Sequence, residues 1–148
     1  MRVRDFVASD AQKIVEILKA NQQYGHPELD GPEAMRRVRE CPYACFLVAE
    51  EDMEVVGFIR GVYDGSRAMI HIASVQREYQ RRGIGRQLAL ACARCFQEMG
   101  ATSIMVSVPG EMGFWSRLGF RLTTRVMSAY PIESVVTQLA SEVEAAAT

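Results

Sequence analysis

Ile70-His71-Ile72-Ala73-Ser74-Val75-Gln76-Arg77-Glu78-Tyr79-Gln80-Arg81-Arg82-Gly83-Ile84-Gly85-Arg86 is the stretch that decides how this chain folds. Its first part is an apolar strand, its second a basic turn holding Arg77, Arg81, Arg82 and Arg86, and a long amphipathic helix follows to Met99. Ile84, Leu88, Ala91, Cys92, Cys95 and Met99 recur at helical spacing, so one face of that helix is buried. A helix opening at Gly83 points its unpaired N–H groups back into the turn, where glycine lets a ligand approach the backbone. Helix-end charge and the surrounding arginines favour an anion there. The first expectation is a phosphate-bearing ligand held by main chain.

Outward from this unit the rest of the chain falls into order. Val3–Phe6 is a short strand, and Ser9 with Gln12 has the spacing of a capping box before a helix faced by Ile14, Ile17 and Leu18. Tyr24–Pro32 is rich in turn formers, and Pro32 suits the first turn of a second helix to about Glu40. The intervening loop, with His26, Glu28 and Asp30, either lines an acceptor pocket or is a solvated connection. Cys45–Ala49 and Val55–Tyr63 are strands, and Asp64-Gly65 is a hairpin signal that returns the chain antiparallel through Arg67–Val75. Gly57 and Gly61 inside a strand mark bulges or close approach. Gly100 closes the long helix, Thr102–Val108 is a strand, and the strand–helix–strand unit favours a parallel crossover. A short helix near Glu111–Leu118, an extended run from Gly119 to Tyr130 and a helical tail from Ile132, frayed at Glu144–Thr148, complete the chain.

The 148 residues suffice for one domain with a core; 49% are hydrophobic and 24% charged, as in a globular protein. A net charge of −1 gives no bulk basic character for nucleic acid. No apolar run reaches a membrane span and no signal region opens the chain, so the expected location is cytoplasmic, without membrane partners. Cys41, Cys45, Cys92 and Cys95 could form a thiolate zinc site by spacing, but Cys92 and Cys95 lie on the apolar stripe of the long helix and read as core; no metal is expected.

The order strand, two helices, three-strand meander, glycine turn, long helix, strand, short helix, strand resembles the GNAT superfamily of N-acetyltransferases over roughly Val3 to Tyr130. Gln80-Arg81-Arg82-Gly83-Ile84-Gly85 matches its (Arg/Gln)-x-x-Gly-x-(Gly/Ala) pattern, and Phe114-Trp115-Ser116-Arg117-Leu118-Gly119-Phe120 is similar to its late Phe-Tyr-x-x-x-Gly-Phe segment. The resemblance implies an α/β (α+β) fold with a mixed, mostly antiparallel, splayed sheet flanked by helices: one acyltransferase domain over 1–130 and a tail over 131–148. It implies acetyl-CoA as co-substrate, with the N–H groups of Arg82, Gly83, Ile84, Gly85 and Arg86 on the pyrophosphate, and Gln80 and Arg81 in the same turn. It further implies that the backbone of Ala73, Ser74 and Val75 pairs with the pantetheine arm, and that the Val75 N–H polarises the thioester carbonyl.

The implied reaction is direct attack of an amine in a ternary complex, with a small-molecule or a protein or peptide amine as acceptor. The family's usual acid, a Tyr, is replaced by Trp115, whose indole is a hydrogen-bond donor only. Tyr79, Tyr130, Ser116 or water can then protonate the thiolate. His71, Glu111 and Glu28 are the candidate bases, His71 equally reading as a packed strand residue. Two other readings stand beside this one: a CoA-binding protein of the same fold with little or no turnover, and a dinucleotide-binding oxidoreductase. The second lacks the third glycine of its motif. Acidic Glu28, Asp30 and Glu33 hint at a cationic amine, and the apolar final strand at a homodimer.

Overall fold

In the computed structural model of the chain, which describes residues 1–108, 110 and 113–147, a sheet of five strands runs in the order β1-β2-β3-β4-β5. The strands are β1 (Arg2–Asp5), β2 (Ala44–Glu51), β3 (Glu54–Tyr63), β4 (Ala68–Val75) and β5 (Ile104–Val106). The first four pair antiparallel and β4 pairs β5 parallel, as a hairpin at Asp64-Gly65 and a helical crossover require. Between them lie α1 (Ala11–Ala20), the single turn α2 (Pro27–Asp30), α3 (Pro32–Glu40) and α4 (Ile84–Met99); α5 (Gly113–Arg117) and α6 (Ile132–Ala147) follow.

The sheet separates two cores. On one face Ile14, Ile17 and Leu18 of α1 and Met35 of α3 pack on Phe46, Val48 and Phe58. On the other, Ile84, Leu88, Cys92 and Phe96 of α4 pack on Leu47, Ile59 and Ile70. The alternation of strand residues assigns each side chain to its face. Gly61 lies at a register shift in the β3–β4 ladder, where a Cβ would collide with the Met69 carbonyl; at Gly57 it would stand 3.0 Å from the Ser74 carbonyl oxygen. Both glycines are close approaches between strands.

The thiols are part of the second core. Cys45 and Cys92 are buried, Cys95 is half-buried, and all four cysteines are free. Hydrogen bonding with Cys92 and burial push the Cys45 thiol up, and burial beside Cys45 pushes Cys95 up to about 12. Protonated thiols of this kind are poor nucleophiles and poor metal ligands. Among the described residues no group of three or more His, Cys, Asp or Glu side chains is placed to hold a metal ion. No described helix is long and apolar enough to cross a membrane.

Four sequence expectations change. The start of α1 does not use Ser9: Asp10, closing a short 3-10 turn over Ala8–Asp10, accepts the Val7 N–H at 2.9 Å and both Arg4 guanidinium nitrogens at 2.9 Å. The loop before α3 contains the helical turn α2. The strand expected over Thr102–Val108 is confined to Ile104–Val106. The extended run expected from Gly119 to Tyr130 forms no strand; Leu122, Val126 and Met127 are exposed, so the apolar strand invoked for a homodimer is absent from this fold. Its alternating apolar residues have the strand pattern, but among the described residues no strand edge takes them.

Candidate active site

Two features of the sequence open a gap beside β4. Gln76 donates its N–H to the Val56 carbonyl at 2.7 Å, so Gly57 and Val75 are a non-hydrogen-bonded pair, and the N–H and C=O of Val75 point away from β3. On the other side β5 pairs only as far as Ile70, with the Ser107 N–H donating to the Ile70 carbonyl at 3.1 Å. Beyond that point the strands part, and the backbone of Ala73 and Val75 faces the gap.

The gap continues into the start of α4. A 3-10 turn over Arg77–Tyr79 lifts the chain off β4, Arg81 takes a left-handed conformation at φ 65°, and Gly83 does so at φ 83°. Glycine accepts that conformation freely; Arg81 holds it against steric cost. No side chain caps α4, and the first amide to bond within the helix is that of Gln87, to the Gly83 carbonyl at 3.1 Å. Among the described residues no acceptor takes the amides of Gly83, Ile84, Gly85 and Arg86, so they open the helix carrying the partial positive charge of its end. Gly85 serves packing rather than torsion: a Cβ there would stand 3.2 Å from the Phe114 ring.

Together these elements line a cleft of about 770 Å³, within the range of ligand and cofactor pockets. Its wall includes Ala73, Ser74, Val75, Gln80, Arg81, Gly83, Gly85 and Arg86. Ile84 and Arg82 are not on the wall: the Ile84 side chain is in the core, and Arg82 turns outward, its guanidinium 5.0 Å from the centre of the Tyr79 ring. Arg77, Tyr79, Leu88, Phe114, Trp115 and Arg117 also line the cleft, as do Asn21 and Gln23 from the end of α1. Trp115 meets Phe114 and Phe120 edge to face, at 5.0 and 5.3 Å between ring centres.

Of the residues named for proton transfer, Tyr79 lines the cleft, whereas Ser116, His71 and Tyr130 are not on its wall. His71 is exposed and outside the cleft wall; partial burial of the ring, then the Arg60 guanidinium, lower its pKa. Tyr130 is also outside the cleft wall. It stacks on His26 at 3.9 Å and donates its hydroxyl proton to Glu28 at 2.9 Å, a bond that raises its pKa and makes it a weaker acid. Glu111 falls outside the described residues. The acids that hinted at a cationic amine are committed to internal partners: Glu28 to Tyr130, Asp30 to the Gly25 amide and Arg60, Glu33 to Arg36.

Sequence reasoning missed Asn21 and Gln23. Asn21 donates from Nδ2 to Ser74 Oγ at 2.7 Å and to the Val75 carbonyl at 2.8 Å; Gln23 donates from Nε2 to the Ala73 carbonyl at 3.2 Å. Gln80 adds a second donor to the Val75 carbonyl at 2.9 Å. Nothing local marks Asn21 and Gln23, because their partners are about fifty residues away in the chain.

A family model described as the acetyltransferase (GNAT) family matches residues 11–120. Among solved structures the chain is similar in fold to an aminoglycoside 6′-N-acetyltransferase from Acinetobacter haemolyticus, at TM-score 0.73 and 15% identity over 87% of this chain and 97% of that one. It is also similar to glucosamine-6-phosphate N-acetyltransferase from Arabidopsis thaliana, at TM-score 0.73 and 16% identity over 88% and 97%. A PaiA N-acetyltransferase from Thermoplasma acidophilum, solved in complex with coenzyme A, aligns at TM-score 0.70 and 16% identity over 86% and 92%. The family match spans the strand, the glycine turn, α4 and the late aromatic segment that build the cleft, and on that evidence the chain belongs to the GNAT acetyltransferase family.

Proposed function

We propose that the protein is an N-acetyltransferase that uses acetyl-CoA and a primary amine, by direct attack in a ternary complex. The observation that carries this reading is the continuity between the uncapped start of α4 and the free backbone edge of β4. A thioester of coenzyme A needs an anion site and, one pantetheine length away, a polar edge leading to the acyl group. The open amides of Gly83–Arg86, with Arg77, Arg81, Arg86 and Arg117 around the same cleft, suit the phosphates. The edge at Ala73–Val75 suits the pantetheine amides. Because Asn21 and Gln80 occupy the Val75 carbonyl, its N–H and the second lone pair of the Ala73 carbonyl are the groups left for a ligand.

In this reading the Val75 N–H donates to the thioester oxygen and stabilises the negative charge that grows there during attack. The amine nitrogen forms the new bond to carbon, the carbon–sulfur bond breaks, and the electron pair leaves on sulfur. The amine then gives up a proton and the thiolate takes one. An unperturbed thiol has a pKa of about 8.5, so water meets that demand without a tyrosine at position 115. Trp115 favours a second reading, a binder of CoA thioesters with little turnover, because indole donates a hydrogen bond but supplies no proton at neutral pH.

Calorimetric titration with acetyl-CoA and thiol release over an amine panel test both. Binding with amine-dependent release is expected; binding without release of thiol to any amine supports the second reading, and no binding contradicts both.

A further inference from the structure

The identity of the acid and base and the nature of the acceptor are linked by one feature of the cleft. The side chains of Asn21, Ser74 and Gln23 form a polar circuit on its wall. Asn21 Nδ2 bonds Ser74 Oγ at 2.7 Å and the Val75 carbonyl at 2.8 Å, Ser74 Oγ bonds Gln23 Oε1 at 2.5 Å, and Gln23 Nε2 bonds the Ala73 carbonyl at 3.2 Å. Every direction in the circuit is fixed by chemistry. Backbone carbonyls only accept, so the nitrogens of both amides face β4; an amide oxygen only accepts, so the Ser74 hydroxyl donates to Gln23. Asn21 is thereby left with Oδ1 as an acceptor that has no partner among the described residues.

The backbone is bent to produce this arrangement. α1 ends in a Schellman motif, with the Gln22 N–H on the Lys19 carbonyl at 3.2 Å and the Gln23 N–H on the Leu18 carbonyl at 2.8 Å. The left-handed residue such a motif requires is Gln22, at φ 59°, where glycine is usual. The bend delivers Asn21 and Gln23, on either side of it, to the same edge of β4. Ser74, at 6% exposure, ties them together.

The second observation is the charge of the wall. Its titratable groups are Arg77, Arg81, Arg86 and Arg117 with the phenol of Tyr79; no carboxylate or imidazole lines the cleft among the described residues. Among the described residues an ammonium ion meets only like charge there, and an amine that enters protonated finds no carboxylate or imidazole to take its proton.

Resting on the acetyl-CoA reading above, we propose that the acceptor enters as a neutral primary amine and donates an N–H to Asn21 Oδ1, with Gln23 beside it. A neutral amine has N–H donors and one lone pair; committing the donors to the circuit turns the lone pair toward the thioester carbon. The amine attacks, the C–N bond forms and the C–S bond breaks with its electron pair on sulfur. The surplus amine proton passes to solvent, and solvent protonates the thiolate. The proton balance closes without an ionisable side chain, and the pH dependence of the reaction is that of the acceptor itself. The class of substrate is therefore a primary amine of low basicity rather than a polycation.

The test uses hydroxylamine and glycinamide as probes, with acetyl-CoA titrated calorimetrically into the same proteins. Wild type should accelerate transfer to at least one probe above the rate in buffer. Log kcat/KM should rise with pH and level off at the pKa of the probe used, at different pH for the two where both react. Asn21→Ala should lose tenfold or more in kcat/KM, chiefly through KM for the amine, while its acetyl-CoA affinity stays within threefold. Ser74→Ala, which removes one of the two bonds that hold each amide, should lose activity in the same direction with acetyl-CoA binding kept, and that binding shows each variant to be folded. The proposal is overturned by acetyl-CoA binding without acceleration of either probe, by an inflection at one pH for both probes, or by unchanged amine kinetics in Asn21→Ala. Failure of wild type to bind acetyl-CoA overturns the acetyltransferase reading, and this proposal with it.

Discussion

Two helices of this chain begin on the same face of the same physical problem and solve it in opposite ways. Every α-helix opens with N–H groups that its own ladder cannot satisfy. Before α1, the Asp10 carboxylate accepts the Val7 amide and is itself locked by two bonds to Arg4. At α4 no side chain caps the helix, Gly83 turns the chain in a left-handed step, and arginines rather than carboxylates surround the opening. The turn that leads into α1 is tied down by its own acid, although no side chain caps the first amides of α1 itself, whereas the turn that leads into α4 is left open, as the proposed cofactor site requires. The difference is compositional: an acid in the turn before α1, none between Gln80 and Arg86.

Putting an acid where the open start is should break the contrast most severely. In Gly85→Glu the new Cβ meets the edge of the Phe114 ring, which can yield, and the carboxylate stands among the free amides of the first helical turn. Acetyl-CoA affinity measured by calorimetry should fall at least about 100-fold, equivalent to roughly 2.7 kcal/mol. Stability to urea should hold, because a carboxylate in the first turn favours the helix. Undiminished affinity would show that the phosphates are bound elsewhere.

The complementary change removes the acid from the closed start. Asp10 is almost fully buried while Arg4 is partly exposed, so Asp10→Ala should lower stability by about 2–3 kcal/mol, below the range for a fully buried pair. Acetyl-CoA affinity should stay within twofold. The loss should depend on pH. Burial raises the Asp10 pKa, but the bonds from Arg4 and the Val7 amide outweigh it and hold the carboxyl below its ordinary value. A lowered carboxyl pKa stabilises fully above the unfolded value of about 3.9 and ceases to do so as pH falls through the folded value. Urea melts of wild type and Asp10→Ala should therefore differ at pH 6 and converge below about pH 4. A constant difference would assign the effect to packing.

How much of this was legible in the sequence follows the range of the interactions. The hairpin at Asp64-Gly65 and the open start of α4 depend on residues within a turn of one another, and they were readable; Gly57 and Gly61 were readable because a glycine inside a strand itself marks a close approach, although the backbone each meets, at Ser74 and Met69, lies on the next strand. The parallel β4–β5 pair followed from the crossover helix. Asp10 was missed in favour of Ser9 because its partner, Arg4, lies on the preceding strand. The segment after Gly119 has the alternation of a strand, but alternation states what a strand would bury and not whether an edge is there to receive it. Asn21 and Gln23 look like any polar residues after a helix; only the path of β4 gives them partners.

The smallest effect belongs to the end of α1. Gln22→Gly removes the steric cost of the left-handed residue in the Schellman motif, and thermal melting should show stabilisation of less than about 1 kcal/mol. A destabilisation larger than that would mean the Gln22 side chain holds the bend.

The central claim is that the open amides of α4 hold the phosphates of the cofactor and the edge of β4 its acyl arm. Amide proton and nitrogen chemical shifts of the labelled protein, titrated with acetyl-CoA, test it residue by residue. The account predicts the largest shifts at Gly83, Ile84, Gly85 and Arg86, with Val75 moving in the same titration and the Val7 and Asp10 amides before α1 unmoved. Saturable shifts that leave Gly83–Arg86 in place would contradict it.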